Sequence, residues 1–351
     1  MRVVVVGATG NVGTSVLEAL VREPAVESVL GLARREPELE LPKVEWAKAD
    51  IVGSELVPRF RGADCVVHLA WKIQPSRDAA DLWLTNVHGS SRVFLAAAEA
   101  GVPALVYASS VGAYSAGPKD SRVDESWPTD GIRTSFYSRH KAEVERILDH
   151  FEQDRPEIRV VRLRPGLIFK REAASGMRRL FAGPFLPSPL LHPRLLPIVP
   201  DVPRLRFQAV HSRDVGEAYR LAIVGDVRGA FNVASEPVLD PPELARLLGA
   251  RLVPMTESLA RAATALTWKL RLQPTPPGWL DLALGVPLLD VGRARTELGW
   301  EPRMSAGDAL LELLEGLRER AGAPTPPLDP GTGGPARVRE IASGVGARNH
   351  G

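Results

Sequence analysis

Apolar residues in the first half of the chain fall into short unbroken runs, separated by stretches where they recur every three or four positions. The runs lie at residues 3–6, 29–33, 44–47, 65–69, 104–108 and 158–163. They are too short for helices and rich in valine, so they predict strands buried on both faces. Between them, Val16, Leu17, Leu20 and Val21 share one side of an amphipathic helix. A longer helical pattern runs from about Asp78 to Ala100 and stops at Gly101-Val102-Pro103, and another covers residues 136–151. Continuous apolar strands alternating with helices predict an α/β fold, a doubly wound parallel sheet covered on both faces.

The texture changes after Pro165. Prolines and arginines crowd residues 171–206 in irregular order, as expected of a loop-rich segment over a pocket. Order returns with a strand at 207–210, a helix near 214–224 and a strand at 230–234. Asp240-Pro241-Pro242-Glu243 reads as a helix start, with Asp as cap and proline in the first turn. Helical patterns follow at 256–270 and 305–320. From about Ala321 the chain is rich in Pro, Gly, Ala and Thr without periodicity, which predicts a disordered tail over 321–351.

Composition narrows the function classes. The 44 basic and 42 acidic residues of the 351 leave a formal charge of only +2, so no strong field points to nucleic acid or an anionic membrane. No apolar stretch reaches the ~20 residues of a spanning helix, and the apolar run before Gly7 is too short for a signal core. A single cysteine, Cys65, forbids an internal disulfide and fits a reducing, cytoplasmic setting. The seven histidines are scattered, so no metal motif is expected. Ser-His-Asp hydrolysis lacks a Gly-x-Ser-x-Gly elbow at any strand end.

Gly7-Ala8-Thr9-Gly10-Asn11-Val12-Gly13 directly follows the first strand and opens the first helix. Glycines there permit a tight turn and a close approach of backbone to a pyrophosphate, while the helix N-terminus faces the anion. The predicted sheet is therefore of Rossmann type, binding a dinucleotide. The second strand ends in Arg34 and Arg35, where an acidic residue would favour NAD. A guanidinium suits a 2′-phosphate, so NADP is preferred over NAD, the alternative being two solvated surface arginines. Asp50, at the end of the third strand, is a candidate acceptor for the adenine amino group or a turn cap. Tyr137 and Lys141 stand four apart on one helix face. A phenol is a poor base at neutral pH unless a neighbouring cation stabilises phenolate. Ser109 and Ser110, at a strand C-terminus, could hold a substrate oxygen beside Tyr137.

With these motifs occur His68-Leu69-Ala70, Asn86-Val87-His88-Gly89-Ser90, Tyr107-Ala108-Ser109-Ser110 running on to Tyr114, and Arg164-Pro165-Gly166. In that order they resemble the extended short-chain dehydrogenase/reductase superfamily, the NAD-dependent epimerase/dehydratase type, over residues 1 to about 320. The resemblance implies a general acid/base at Tyr137, with Lys141 holding the nicotinamide ribose and Ser110 orienting substrate. It also implies a cofactor site of Gly7, Thr9, Gly10, Asn11, Val12 and Gly13 at the diphosphate, and Asp50 and Ile51 at adenine. Leu69, Ala70 and Trp71 would line the ribose side, with Pro165 near the carboxamide. Asn86 matches a motif asparagine and equally fits a buried residue bridging backbone groups.

On this basis residues 1–165 form the dinucleotide-binding domain. Residues 166–320 are mainly a substrate lobe with elements returning to the core. The expected activity is Tyr-Lys-assisted hydride transfer at a secondary alcohol or carbonyl carbon. The small-molecule substrate is either a sugar nucleotide, epimerised, or another carbonyl compound, reduced. Two departures bear on this choice. Ser110-Val111-Gly112 lacks the acid a dehydratase would use, and Trp71 stands where a small residue is usual. Arginines 178, 179, 194, 204 and 206 could pair with a diphosphate or simply solvate a loop. A homodimer through the helices near 80–100 and 136–151 is implied by the resemblance. A non-enzymatic dinucleotide sensor on the same fold is the rival.

Overall fold

The apolar runs become strands in the computed structural model, which describes residues 1–74, 76–182 and 197–331. They are β1 (Arg2–Val6), β2 (Ser28–Ala33), β3 (Val44–Lys48), β4 (Cys65–His68), β5 (Ala104–Ala108) and β6 (Arg159–Pro165). A seventh, β7 (Gly229–Val233), completes the sheet. Every pairing is parallel and the order is β7-β6-β5-β4-β1-β2-β3. The order reverses between β1 and β4, and in such a sheet the ligand crevice opens beyond the strand C-termini at that point.

Alternation along β1 shows why its run is unbroken. Val3 and Val5 pack with Val16, Leu17 and Leu20 of α1 (Asn11–Arg22). Val4 and Val6 face the other way, toward Val93, Phe94, Val144 and Leu148. The latter come from α2 and α3. α2 is continuous through Ala79–Trp83, a π-helical turn Leu84–His88 and Gly89–Glu99, and α3 spans Phe136–Asp154. Fully burying one such valine is worth about 1.5–3 kcal/mol, so both faces select apolar residues.

The second half both forms a lobe and returns to this core. α4 (Ser212–Val224) lies against α1, with Val215, Ala218 and Tyr219 in the same cluster. Trp300 is fully buried there and its indole N–H donates to the Asp214 carbonyl at 2.7 Å. The lobe rests on short parallel pairs, Leu167–Phe169 with Ala209–His211 and Ile198–Asp201 with Arg251–Pro254. α5 (Ala306–Glu319) covers the first pair through Ala306, Ala309 and Leu313. Among the described residues no helix is long and apolar enough to cross a membrane.

The expected disordered tail needs correction over its first part. Residues 321–331 are ordered, with Thr325 and Leu328 buried. Compositional bias concealed this because a Pro-rich turn makes its own hydrogen bonds without periodicity: Leu328 and Asp329 N–H both donate to the Thr325 carbonyl. Residues 332–351 lie outside the described residues.

Candidate active site

The glycine loop takes its shape from two close approaches. Gly7 has φ +87°, and a Cβ there would sit 2.6 Å from the Ala70 nitrogen, so the turn after β1 and the one after β4 touch through backbone alone. A Cβ on Gly13 would sit 2.5 Å from the Ala8 carbonyl oxygen, which lets α1 pack down onto the loop. Gly10, by contrast, has room: its Cβ would meet only the Gly7 carbonyl, at 3.5 Å. The α1 ladder begins with Thr14 donating to Gly10, so the N–H groups of Asn11, Val12 and Gly13 precede it. An open glycine face and free helix N–H groups suit a diphosphate, and the groove is fitted to a dinucleotide.

That groove is a cavity of about 390 Å³ joining the residues singled out in the sequence. Arg34, Arg35, Asp50 and Ile51 line its end beyond β2 and β3, and Leu69, Ala70 and Trp71 its middle. Pro165, Tyr137 and Lys141 stand at the far end. Arg34 and Arg35 are exposed. The Asp50 carboxylate caps a turn, Oδ1 accepting from Val52 N–H at 2.9 Å, while still facing the cavity. Ile51 is buried beneath it.

The other end is anchored by α3. Its cap Ser135 accepts from Ser138 N–H, and the Ser138 hydroxyl donates to the Gly112 carbonyl. This fixes the first turn of α3 against the 110–113 turn, so that Tyr137 packs directly on Gly112, where a Cβ would lie 2.8 Å from the ring. The Ser110 hydroxyl accepts from Gly112 N–H at 3.0 Å, on the glycine against which the Tyr137 ring packs. Burial raises the Tyr137 pKa and the neighbouring Ser110 hydroxyl partly offsets the rise. Of the two serines, Ser109 lines the cavity, its hydroxyl donating to Glu145, and Ser110 does not line it. The Lys141 ammonium donates to the Ala108 carbonyl at 2.5 Å and the Tyr107 hydroxyl at 3.4 Å. It also lies 3.5 Å from the centre of the Trp71 ring. Burial pushes the Lys141 pKa well down, with the Glu145 charge opposing.

Sequence inspection missed what lies beneath. Tyr137, Lys141 and Glu145 form one stripe at successive fourth positions of α3. The Glu145 carboxylate is wholly buried and takes two bonds from Arg164, both at 2.9 Å, and one from Arg162 at 2.8 Å. Burial would raise its pKa, but the guanidiniums hold it down at about 2. Arg162 and Arg164 alternate on β6, an inner strand, and its three arginines, Arg159 included, in a run otherwise apolar were the available signal. Asn86, in the π-helical turn, accepts from Lys72 N–H at 2.7 Å and donates to the Lys72 carbonyl at 2.8 Å. It therefore fixes the backbone that carries Trp71. Trp279 of the lobe, also unforeseen, stacks on Tyr137 with ring centres 4.9 Å apart.

The NAD dependent epimerase/dehydratase family model matches residues 3–182. The chain belongs to that family. A 2-alkyl-3-oxoalkanoate reductase of Shewanella oneidensis is 31% identical over 172 residues, 47% of this chain and 44% of its own length. An uncharacterized protein of Mycobacterium tuberculosis is 26% identical over 325 residues, 92% of this chain, and the chain spans only 31% of that relative's length. Among solved structures, the dTDP-glucose 4,6-dehydratase DesIV from Streptomyces venezuelae, with NAD and TYD bound, superposes with a TM-score of 0.68 at 21% identity. The superposition covers 91% of this chain and 97% of DesIV. The family match makes the protein a member of an NAD-dependent enzyme family, and the structural likeness shows the shared Rossmann-type fold.

Proposed function

We propose that the protein is an NADP-preferring oxidoreductase that interconverts a ketone and a secondary alcohol, with Tyr137 moving the proton. The observation that carries this reading is Tyr137, with Lys141 and the Ser110 turn beside it, in a groove that the glycine loop also lines. A reduced nicotinamide would supply the hydride. Ser110 orients the substrate oxygen, and Tyr137 gives it a proton as negative charge develops. Because burial raises its pKa, the phenol keeps its proton at neutral pH, which supports reduction there; oxidation, which needs the phenolate, accelerates as pH rises. Lys141, Asn11, Val12 and Gly13 would hold the cofactor.

Several features favour reduction over sugar-nucleotide epimerisation. Arg204 donates to the carbonyls of Leu284 and Gly117, and Arg206 to that of Lys119. Arg179 donates to Pro327. These arginines are engaged with backbone rather than held ready for a substrate diphosphate; Arg194 lies outside the described residues. The relative from Shewanella oneidensis is a reductase by name. Arg34 and Arg35, exposed at the adenosine end, support the NADP preference. Trp83, Leu84 and Leu95, exposed on α2, support a homodimer through that helix, and a cytoplasmic location completes the proposal. The test is a panel of ketones with NADPH, following loss of the reduced nicotinamide. Oxidation by the wild-type protein and not by Tyr137→Phe is expected. Equal rates for both would end the reading.

A further inference from the structure

The cavity has a wall that the glycine loop, the sheet and α3 do not supply. Pro326, Pro327 and Leu328 line it alongside Thr9 and Gly10, although some 300 residues separate them in sequence. Thr325 is 1% exposed and its hydroxyl donates to the Thr9 carbonyl at 2.9 Å. Leu328 is 3% exposed. On the opposite bank Arg179 donates to the Pro327 carbonyl at 2.7 Å, and the Ser175 hydroxyl to that of Ala321 at 2.8 Å. The segment is stiffened internally, Ala323 N–H donating to Leu328 and Leu328 N–H to Thr325. It thus bridges the core side and the lobe side of the groove where the diphosphate would lie.

We propose that residues 321–328 are a positioning strap of the dinucleotide site, with Thr325 as its key residue. The proposal rests on the groove being a dinucleotide site. Thr325 fixes the carbonyl of the Thr9–Gly10 peptide. The same peptide carries the Gly10 N–H and leads into the free N–H groups of α1, so its orientation sets how they meet a diphosphate. The bonds to both banks close the groove over a bound molecule, and the strap must lift for it to leave. Thr325 acts through the loop rather than through any contact of its own with a reacting atom.

The test is equilibrium and stopped-flow fluorescence binding of NADPH to the full chain and to Thr325→Val, Thr325→Ser and Ser175→Ala variants. A competition series with 2′-AMP, which has no diphosphate, runs beside it. Thr325→Val is expected to weaken NADPH binding about tenfold, the equivalent of one lost hydrogen bond, mostly through faster dissociation. Thr325→Ser should restore it, 2′-AMP should bind all variants alike, and Ser175→Ala should speed dissociation by a smaller factor. Unchanged NADPH dissociation in folded Thr325→Val and Ser175→Ala would overturn the strap while leaving the dinucleotide reading intact. An equal loss for 2′-AMP would overturn it too, by assigning Thr325 a general structural role. Should the wild-type protein bind neither NADPH nor NADH, the reading of the groove fails and the strap with it.

Discussion

The two ends of the groove are built by different physics. At the glycine loop, shape comes from backbone: Gly7 touches Ala70, Gly13 touches Ala8, and side chains are kept out. At the Tyr137 end, shape and charge come from side chains stacked in depth. Tyr137 and Lys141 face the cavity, Glu145 lies under Lys141, and Arg162 and Arg164 neutralise Glu145. The first arrangement tolerates almost no added atom, and the second almost no removed charge. The proposed function would need both, because anion binding demands close approach and proton transfer demands a controlled local potential.

The sharpest way to separate the ends is Tyr137→Phe. Loss of the proton donor should lower kcat for ketone reduction by about 10²–10⁴, while NADPH affinity, measured by fluorescence, stays as in the wild type. A parallel fall in affinity would mean that the ends are not independent. Glu145→Gln comes next. It leaves two guanidiniums facing a neutral amide in the interior, and should destabilise the fold by about 3 kcal/mol in urea unfolding. The same carboxylate has a depressed pKa in the fold, so its stabilisation is complete above its ordinary value of 4.5 and is lost as pH falls toward about 2. Acid unfolding of the wild type should steepen across that window, and that of Glu145→Gln should not.

Gly7→Ala probes the other end. A methyl at φ +87° costs about 1–2 kcal/mol in backbone strain alone, before its collision with Ala70. We expect NADPH binding to weaken by at least about tenfold, with the Tyr137 environment unchanged. The smallest effect belongs to Arg34→Ala. An exposed guanidinium facing a 2′-phosphate should contribute about 1 kcal/mol after solvent screening. Its removal should therefore cut the preference for NADPH over NADH several-fold without altering NADH affinity.

The same contrast explains what could be read in advance. The glycine loop and the strands were legible because backbone demands leave composition marks: glycines at a turn, valines where both faces are covered. Tyr137 and Lys141 were legible through their spacing, and Asp240 as a cap through local sequence; it caps as expected, accepting from Glu243 N–H. Glu145 was not, because a buried acid on an amphipathic helix looks like a solvated one until its partners from β6 are in place. Trp279 and the strap at Thr325 were hidden for a related reason. Their roles arise from contacts across more than 100 residues, which no local pattern records.

On the proposed function, Tyr137 serves an exchangeable dinucleotide rather than a permanently held one. This is tested most directly by releasing nucleotide from freshly purified protein, identifying it by mass spectrometry, and titrating the protein with NADPH and NADH. The account predicts little retained nucleotide and tighter binding of NADPH than of NADH. Stoichiometric NAD(H) that survives purification and resists exchange would contradict it, and would assign the groove to hydride recycling on a single substrate.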